Sequence, residues 1–299
     1  MILPRIVRVT CLFLILLPPV PALAEQSAGL PGQHGQAAAP LPEIRQLIRE
    51  VQDHQKQLEK VRENYTYSSL QTTQDIDTNG QVKKTQTEEY EEFYANGHVI
   101  GRLVKKDGKP LDDHDQQKET ERVTKLVEKA QQTPSDQPLH SQSITVGKVL
   151  EMMDVRNPRR QTFRGRPTIV FDFVGRKDAQ THGLAQDLSK KLQGTMWVDE
   201  ADRQIAHLEA RFIDNFNVDG GLLARIEKGS SFYFDQGLVN GEVWLPVGGE
   251  GTIQARVLLV KGIRQHGSER DYDYKRFRVE AEQLKDARVV LDQKPPSQQ

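Results

Sequence analysis

The sequence predicts a mainly β protein with helices, an α+β fold in which a curved antiparallel sheet forms an incomplete β-barrel covered by about three helices. Segments that alternate polar and apolar residues recur through most of the chain. Turn signals such as Asn79-Gly80, Asn96-Gly97 and Asn240-Gly241 separate them, which favours antiparallel hairpins. Helices do not alternate with these strands, as a parallel sheet would require. A sheet of this size must curl to satisfy its twist and its edges.

The first 24 residues have the pattern of a cleaved signal peptide. Arg5 and Arg8 precede the apolar run 9–17, and Ala22-Leu23-Ala24 offers the small residues that a signal peptidase reads. The run is too short to span a bilayer, which needs about 20 residues. We therefore predict cleavage after Ala24 and a periplasmic protein.

The composition of the remaining chain excludes some classes of protein. The only cysteine, Cys11, lies within the signal segment, so we expect no disulfide and no thiolate metal site in the mature chain. Removing Arg5 and Arg8 from the 41 basic residues leaves 39 against 42 acidic residues, a formal charge of −3. A net acidic chain argues against a nucleic-acid partner, because such proteins usually carry a basic surface.

Composition also predicts the domain organisation. Residues 25–42 are rich in Gly, Ala, Gln and Pro without periodicity, which is typical of a flexible tether. Residues 43–285 are predicted to form a single half-barrel domain. Residues 286–299 are predicted to be a disordered tail.

Amphipathic segments predict the helices. Between residues 42 and 63 the apolar side chains fall on one helical face. A second helix is predicted from Asp112 to about residue 132, because its acidic start favours the positive end of the helix dipole. A third is predicted over residues 141–153, and residues 184–192 are expected to be partly helical.

Strands are predicted on both sides of these helices. Residues 65–77, 82–95 and 98–105 form three consecutive antiparallel strands with one solvated face. The remaining strands are predicted at residues 161–164, 168–175, 195–199, 204–212, 222–234, 241–245, 252–262 and 272–282.

The strands 195–199 and 204–212 flank a four-residue polar turn and predict a hairpin. If Asp199 pairs with Gln204, Trp197 lies opposite Ala206. One face, apolar throughout and therefore predicted to be buried, then carries Trp197, Ala206, Leu208, Ala210 and Phe212. The other face carries Met196, Val198, Ile205, His207, Glu209 and Arg211.

The layout resembles a known family. The chain combines a signal segment, an amphipathic first helix, long polar hairpins and inserted helices with a hairpin reading Gly-Thr-Met-Trp-Val-Asp followed by Ile-Ala-His-Leu-Glu. This combination is similar to the periplasmic outer-membrane lipoprotein-sorting superfamily, with its LolA/LolB-like fold. The resemblance implies an incomplete barrel whose concave apolar face holds acyl chains under a helical lid. Members carry lipoproteins, and relatives sense envelope stress. The long hairpins over residues 65–105 and the charged second helix depart from the compact carrier pattern.

Alternating apolar side chains predict either a closed core or the lining of a groove for an acyl chain. The groove is the sharper hypothesis, because helices rather than a second sheet are predicted to cover this face. Its lining would comprise Ile169, Phe171, Phe173, Trp197, Leu208, Phe212, Phe232, Phe234, Val257, Leu259, Phe277 and Val279.

Arginines are concentrated over residues 156–166. The cluster comprises Arg156, Arg159, Arg160, Arg164 and Arg166. Guanidinium groups bind phosphates and carboxylates at two points, so this surface could meet lipid headgroups or an acidic partner. The alternative is a solvated strand and turn whose charges point in different directions.

The sequence contains none of the common catalytic motifs. It contains no His-Glu-x-x-His metal motif, no Gly-x-Ser-x-Gly elbow, no phosphate loop and no dinucleotide fingerprint. The acidic residues 112–115 could form a weak divalent site, but a capped helix start explains them. We therefore expect a protein that is not an enzyme, with no catalytic residue, metal or cofactor.

Two functional hypotheses remain. The first is a monomeric, exported binding protein that transports a lipid or a lipidated protein on its apolar concave face and touches a membrane surface transiently. The alternative is a periplasmic sensor or scaffold that binds an envelope protein through the arginine surface and carries no lipid.

Overall fold

The structure is a computed structural model and describes residues 40–135, 152–180, 184–218, 223–258 and 261–276, together with residues 137, 139 and 221. The predicted signal peptide, nearly all of the tether, the tail and nearly all of the third helix lie outside the described residues. Three predicted groove residues, Leu259, Phe277 and Val279, also lie outside them.

In the described part of the chain, 13 strands form one antiparallel sheet. The strands are β1 (Tyr65–Ile76), β2 (Val82–Ala95), β3 (His98–Lys106), β4 (Lys109–Pro110), β5 (Met153–Phe163), β6 (Arg166–Gly175), β7 (Leu192–Asp199), β8 (Ile205–Phe212), β9 (Phe216–Val218), β10 (Ala224–Ile226), β11 (Ser231–Val239), β12 (Val243–Val257) and β13 (Lys261–Arg276). Their order is β4-β3-β2-β1-β13-β12-β11-β8-β7-β6-β5, and β10 pairs with β12 and β9. The sheet is not closed, which confirms the predicted incomplete barrel.

Three described helices accompany the sheet: α1 (Ile44–Arg62), α2 (Asp113–Gln132) and α3 (Leu184–Ser189). At the start of α1, the Glu43 carboxylate accepts the backbone N–H groups of Arg45 and Gln46 at 3.0 and 2.8 Å. These hydrogen bonds lower the pKa of the Glu43 carboxyl. Asp112 caps α2 in the same way, through the N–H of Asp115 at 2.8 Å, as its sequence predicts.

The second helix protects one exposed edge of the sheet. On α2, Glu119 Oε1 accepts the backbone N–H of Leu103 at 2.7 Å, and the Arg122 guanidinium donates to the carbonyl of Gly101. Both backbone groups belong to β3, near the end of the strand order. Edge strands with free backbone groups invite pairing with other chains, so α2 closes part of this edge.

The long strand β12 corrects the prediction of two separate strands. Strands were predicted at residues 241–245 and 252–262, but a single strand runs through the glycines between them, from Val243 to Val257. Gly249 and Gly251 lie opposite Phe234 and Phe232 of β11. Because a glycine has no side chain, it leaves room beside a bulky cross-strand partner, and here it does so without ending the strand.

The central hairpin also differs from its prediction. The backbone N–H of Asp199 donates to the Gln204 carbonyl at 2.8 Å, so the predicted turn is confirmed. A β-bulge follows, however, and Trp197 lies opposite His207 instead of Ala206. The extra residue on β8 shifts the pairing register of the two strands by one residue from Trp197 onward. The predicted faces of the first strand were therefore wrong: Met196 and Val198, not Trp197, face the core.

The main core lies between α1 and the strands β6 to β8. We call the sheet face that packs against α1 the inner face and the opposite one the outer face. The buried members of this cluster are Ile44, Leu47, Val51, Met153, Ile169, Phe171, Phe173, Leu192, Met196, Val198, Ile205, Leu208, Ala210, Phe212 and Phe216. A smaller cluster of Tyr65, Val243 and Leu245 packs with Val61 near the end of α1.

Candidate functional site

The apolar part of the inner face lies directly beneath α1. Strand pairing aligns Ile169 with Val198, Phe171 with Met196, and Leu208 with Phe234. Five of the residues predicted to line the acyl groove are buried in the main core beneath α1: Ile169, Phe171, Phe173, Leu208 and Phe212. Phe232 is half-buried and packs against the same cluster, while Phe234 and Val257 are half-buried on neighbouring strands.

The helix that covers this face presents few apolar side chains to the main core. Leu47 is fully buried, and Ile44 and Val51 retain 8% and 3% of their exposure. Ile48 is partly buried against the same cluster. Most of the remaining described side chains of α1 are exposed or half-buried. The apolar surface of the sheet is thus covered by a single stripe of side chains spaced by about one helical turn.

Polar contacts join α1 to the turn after β7 and to β12. Glu50 forms an ion pair with Arg203 at 2.7 Å. The His54 Nδ1 lies 3.2 Å from the carbonyl oxygen of Asp202. Near the C-terminal end of the helix, Arg62 donates to the Trp244 carbonyl at 3.3 Å. These contacts lie at the rim of the apolar cluster and fix the position of α1 without adding to the apolar contact.

The inner face changes character on β1, β2 and β13, where it carries carboxyl groups. Ser69 pairs with Asp271, and Gln71 pairs with Glu269. Burial, together with the Asp271 carboxylate, raises the pKa of Glu92 to about 7 although Arg122 opposes the shift. Burial also raises the pKa values of Glu269 and Asp271, which neighbour each other. This half of the inner face is therefore unsuited to an acyl chain.

The outer face of β5 to β8 and β11 bears rows of polar and aromatic side chains. Residues directly opposite each other across the strands form the first row, which we call the aromatic row: Arg159, Val170, Trp197, His207 and Asp235. Phe163 stacks on His207 with ring centroids 5.1 Å apart, and Trp197 meets the same ring edge-on at 4.8 Å. Trp197 was predicted to line the acyl groove on the inner face, but it belongs to this row on the outer face.

His207 is held between two carboxylates. Its Nδ1 lies 2.6 Å from Asp235 Oδ1, and its Nε2 lies 3.1 Å from Glu209 Oε1. Burial disfavours the charged imidazole, but these hydrogen bonds outweigh burial and raise the pKa of His207. A protonated ring donates to both carboxylates; the Nδ1 contact joins β8 to Asp235 of β11, and the Nε2 contact is made to Glu209 within β8.

Strand pairing places Arg156, Arg159 and Arg166 on this side of the sheet and Arg160, opposite Ile169, on the inner side, and most of the arginines are paired within the chain. Arg159 pairs with Asp172 at 3.2 Å, and Arg160 with Glu200 at 2.7 Å. Arg164 pairs with the buried Asp235 at 2.7 Å. Arg166 pairs with Asp199 and Asp202 at 2.5 and 2.7 Å. Burial alone would raise the pKa of the Asp199 carboxyl, but the Arg166 guanidinium and the backbone N–H groups of the turn lower it. Arg156 lies only 3.8 Å from Asp154, with both side chains more than half exposed.

A groove of ≈ 750 Å³ crosses the outer face beside the aromatic row. Its polar lining comes from two further rows of cross-strand neighbours. The row next to the aromatic row contains Arg156, Asp172, Thr195, Glu209 and Tyr233. The row beyond it contains Gln193, Arg211 and Ser231. Asn157 completes the polar wall at the β5 end. This groove was not predicted from the sequence, although the outward-facing residues of β7 and β8 indicate it once the position of the bulge is known.

Two further findings concern the described residues. None of their helices is long and apolar enough to cross a membrane. Within the same residues, no group of three or more His, Cys, Asp or Glu side chains is placed to hold a metal ion.

Comparison with known proteins gives distant structural likenesses. No protein-family model and no curated protein matches the sequence. An outer-membrane lipoprotein-sorting protein domain from Vibrio parahaemolyticus is similar with a TM-score of 0.32 and 9% identity, covering 78% of this chain and 93% of that chain. A DUF1329 family protein from Desulfovibrio piger is similar with a TM-score of 0.29 and 9% identity, and the match covers 77% of this chain and 92% of that chain. The Pseudomonas aeruginosa MucA/MucB complex has a TM-score of 0.23 and 9% identity, covering 76% and 99%. Likenesses this distant support no functional conclusion.

Proposed function

We propose that this chain is an exported, non-catalytic binding protein in which α1 lifts from the inner face of the sheet to admit an acyl chain of a lipid or a lipidated protein. The observation that carries the proposal is the apolar face of β6 to β8, covered by one amphipathic helix. The proposed periplasmic location rests on the signal pattern of residues 1–24.

The energies of the exchange support this proposal. Lifting α1 exposes Ile44, Leu47 and Val51, which costs about 1.5–3 kcal/mol for each side chain. An acyl chain that replaces them contributes about 0.8 kcal/mol for each buried methylene. About ten methylenes therefore offset the loss of the helix contacts. The inner face then stays covered in both states, first by α1 and then by the ligand.

The polar contacts of α1 would control the exchange. The Glu50–Arg203 ion pair joins the helix to the turn between β7 and β8, and both side chains are about one-third exposed. A pair of this exposure is worth on the order of 1 kcal/mol, which corresponds to a roughly fivefold change in a rate or an equilibrium. Weakening it should favour the lifted state of α1.

Uptake of a fluorescent fatty acid tests this control. We expect the double variant Glu50→Gln, Arg203→Gln to take up the probe about five times faster than the unmodified chain, because less free energy holds α1 down. Stopped-flow fluorescence measures the rate. The matched control is Lys191→Gln, Asp214→Asn, which removes an ion pair of 2.8 Å away from α1 and should leave the rate unchanged. Absence of uptake by all three proteins would overturn the proposal.

A further inference from the structure

We infer that the outer-face groove is a second binding site, separate from the acyl site, and that it takes an extended acidic peptide segment of a partner protein. The groove lies on the opposite face of the sheet from α1, so it remains available whether α1 is closed or lifted. Its volume of ≈ 750 Å³ lies within the range of sites that hold small ligands and short peptide segments.

The carboxylates of the groove are already engaged within the chain. Asp172 accepts hydrogen bonds from Asn157 and Thr195 at 3.0 Å and from Arg159 at 3.2 Å. These contacts lower the pKa of its carboxyl despite burial. The Glu209 carboxylate is held by His207 at 3.1 Å. Both carboxylates of the lining are therefore held by hydrogen bonds within the same molecule.

Two arginines of the lining differ from this pattern. Arg156 has only the loose contact with Asp154, in which both side chains are more than half exposed. Arg211 is exposed, and with the Gln193 amide oxygen turned toward it, its Nε and Nη2 donate to that neutral group at 2.7 and 2.5 Å. No carboxylate of the described residues forms an ion pair with Arg211. The groove therefore offers one guanidinium group with a loose, exposed ion pair and one with no ion pair among the described residues, and such groups bind carboxylates at two points.

The spacing of these arginines defines the ligand. Arg156 lies on β5 and Arg211 on β8, with β6 and β7 between them. Three strand spacings of about 4.8 Å across the sheet and a two-residue offset of about 7 Å along the strands separate their Cα atoms by roughly 16 Å, and the length of the arginine side chains can span a few ångströms of difference. In an extended peptide, side chains four positions apart lie on one face and are about 13 Å apart. A peptide that crosses the strands can thus place one acidic side chain at each arginine.

The floor between the arginines suits a peptide backbone. Between the arginines, β7 presents the Gln193 amide and the Thr195 hydroxyl, and Ser231 adds a hydroxyl on β11, beyond Arg211. Such groups donate to carbonyl oxygens and accept from N–H groups, and so can satisfy a backbone that lies outside any sheet. The Tyr233 ring borders the same floor and contacts His207 at 5.7 Å between centroids.

Fluorescence anisotropy with synthetic peptides tests the inference. The probe is a labelled peptide reading Glu-Ser-Thr-Ser-Glu, and the comparison peptides carry Gln in place of both Glu residues or have the two Glu residues adjacent. We expect the first peptide to bind the full chain at least tenfold more tightly than either comparison peptide. Arg156→Gln and Arg211→Gln should each weaken its binding about tenfold.

A matched variant separates site binding from general attraction of charge. Arg256 has a similar exposure to Arg156 and an equally loose partner, Glu227 at 3.8 Å, but does not line the groove. Arg256→Gln should leave the affinity unchanged. Equal weakening by all three variants, equal binding of the three peptides, or stronger binding of anionic vesicles or single-stranded DNA than of the first peptide would overturn the inference.

Discussion

Acidification from pH 8 to pH 5 is expected to raise the free energy of unfolding by on the order of 3 kcal/mol, because the folded state holds protons on buried carboxyl groups. Burial raises the pKa of Glu92 to about 7 and also raises the pKa values of Glu269 and Asp271. In the unfolded chain such groups titrate near pH 4. Between these limits the folded state binds more protons, so stability falls as pH rises.

Urea unfolding at intervals between pH 5 and pH 8 measures this dependence. Glu269→Gln keeps the shape of the side chain but cannot titrate, so its unfolding free energy should change less with pH and should exceed that of the unmodified chain at pH 8. Glu91→Gln is the control, because Glu91 is half exposed and pairs with Arg102 at the surface. A stability that stays constant or rises from pH 5 to pH 8 would contradict the protonation of this cluster. The carboxyl groups with a lowered pKa, such as those of Asp172 and Asp199, lose their contribution to the free energy of unfolding only below pH 5.

Met196→Ala is expected to destabilise the fold by about 3 kcal/mol, whereas Trp197→Ala should cost no more than about half as much. Met196 is fully buried against Phe171 and Leu208 beneath α1. Trp197 is half-buried on the outer face, where it donates from Nε1 to Gln161 at 3.2 Å. The loss of a core side chain leaves a cavity, while the loss of a partly solvated ring exposes less apolar surface.

The two variants also distinguish the two registers of the hairpin. In the register without the bulge, Trp197 would be the core residue and its loss would be the costlier one. Thermal and urea unfolding of both variants under the same conditions gives the comparison. A larger loss for Trp197→Ala than for Met196→Ala would contradict the observed register.

Local signals in the sequence were sufficient for the first half of the fold. The apolar stripe of α1, the Asp112 cap and the Asn-Gly turns act between residues close in the chain, so their elements begin and end within a few residues of their predictions. The bulge at Trp197 could not be predicted in this way. It depends on which face of β7 and β8 meets α1, a contact between segments about 150 residues apart.

The candidate sites show the same limit. The alternation of Ile169, Phe171 and Phe173 identified an apolar face but not the helix that covers it. The partners of the arginines were also hidden, since Arg164 meets Asp235 across 71 positions. The outer-face groove arises because β11 pairs with β8, which places Tyr233 and Ser231 beside Glu209 and Arg211. No local pattern encodes that pairing.

The most direct test of the proposed function is native mass spectrometry of the protein purified from its native source, followed by extraction and lipid analysis. The account predicts a bound species that contains an acyl chain and that is released when the protein unfolds. A mass equal to that of the protein alone, together with no uptake of an added fluorescent fatty acid, would contradict it. The apolar face beneath α1 would then be a closed core, and the outer-face groove would remain as the binding site of the molecule.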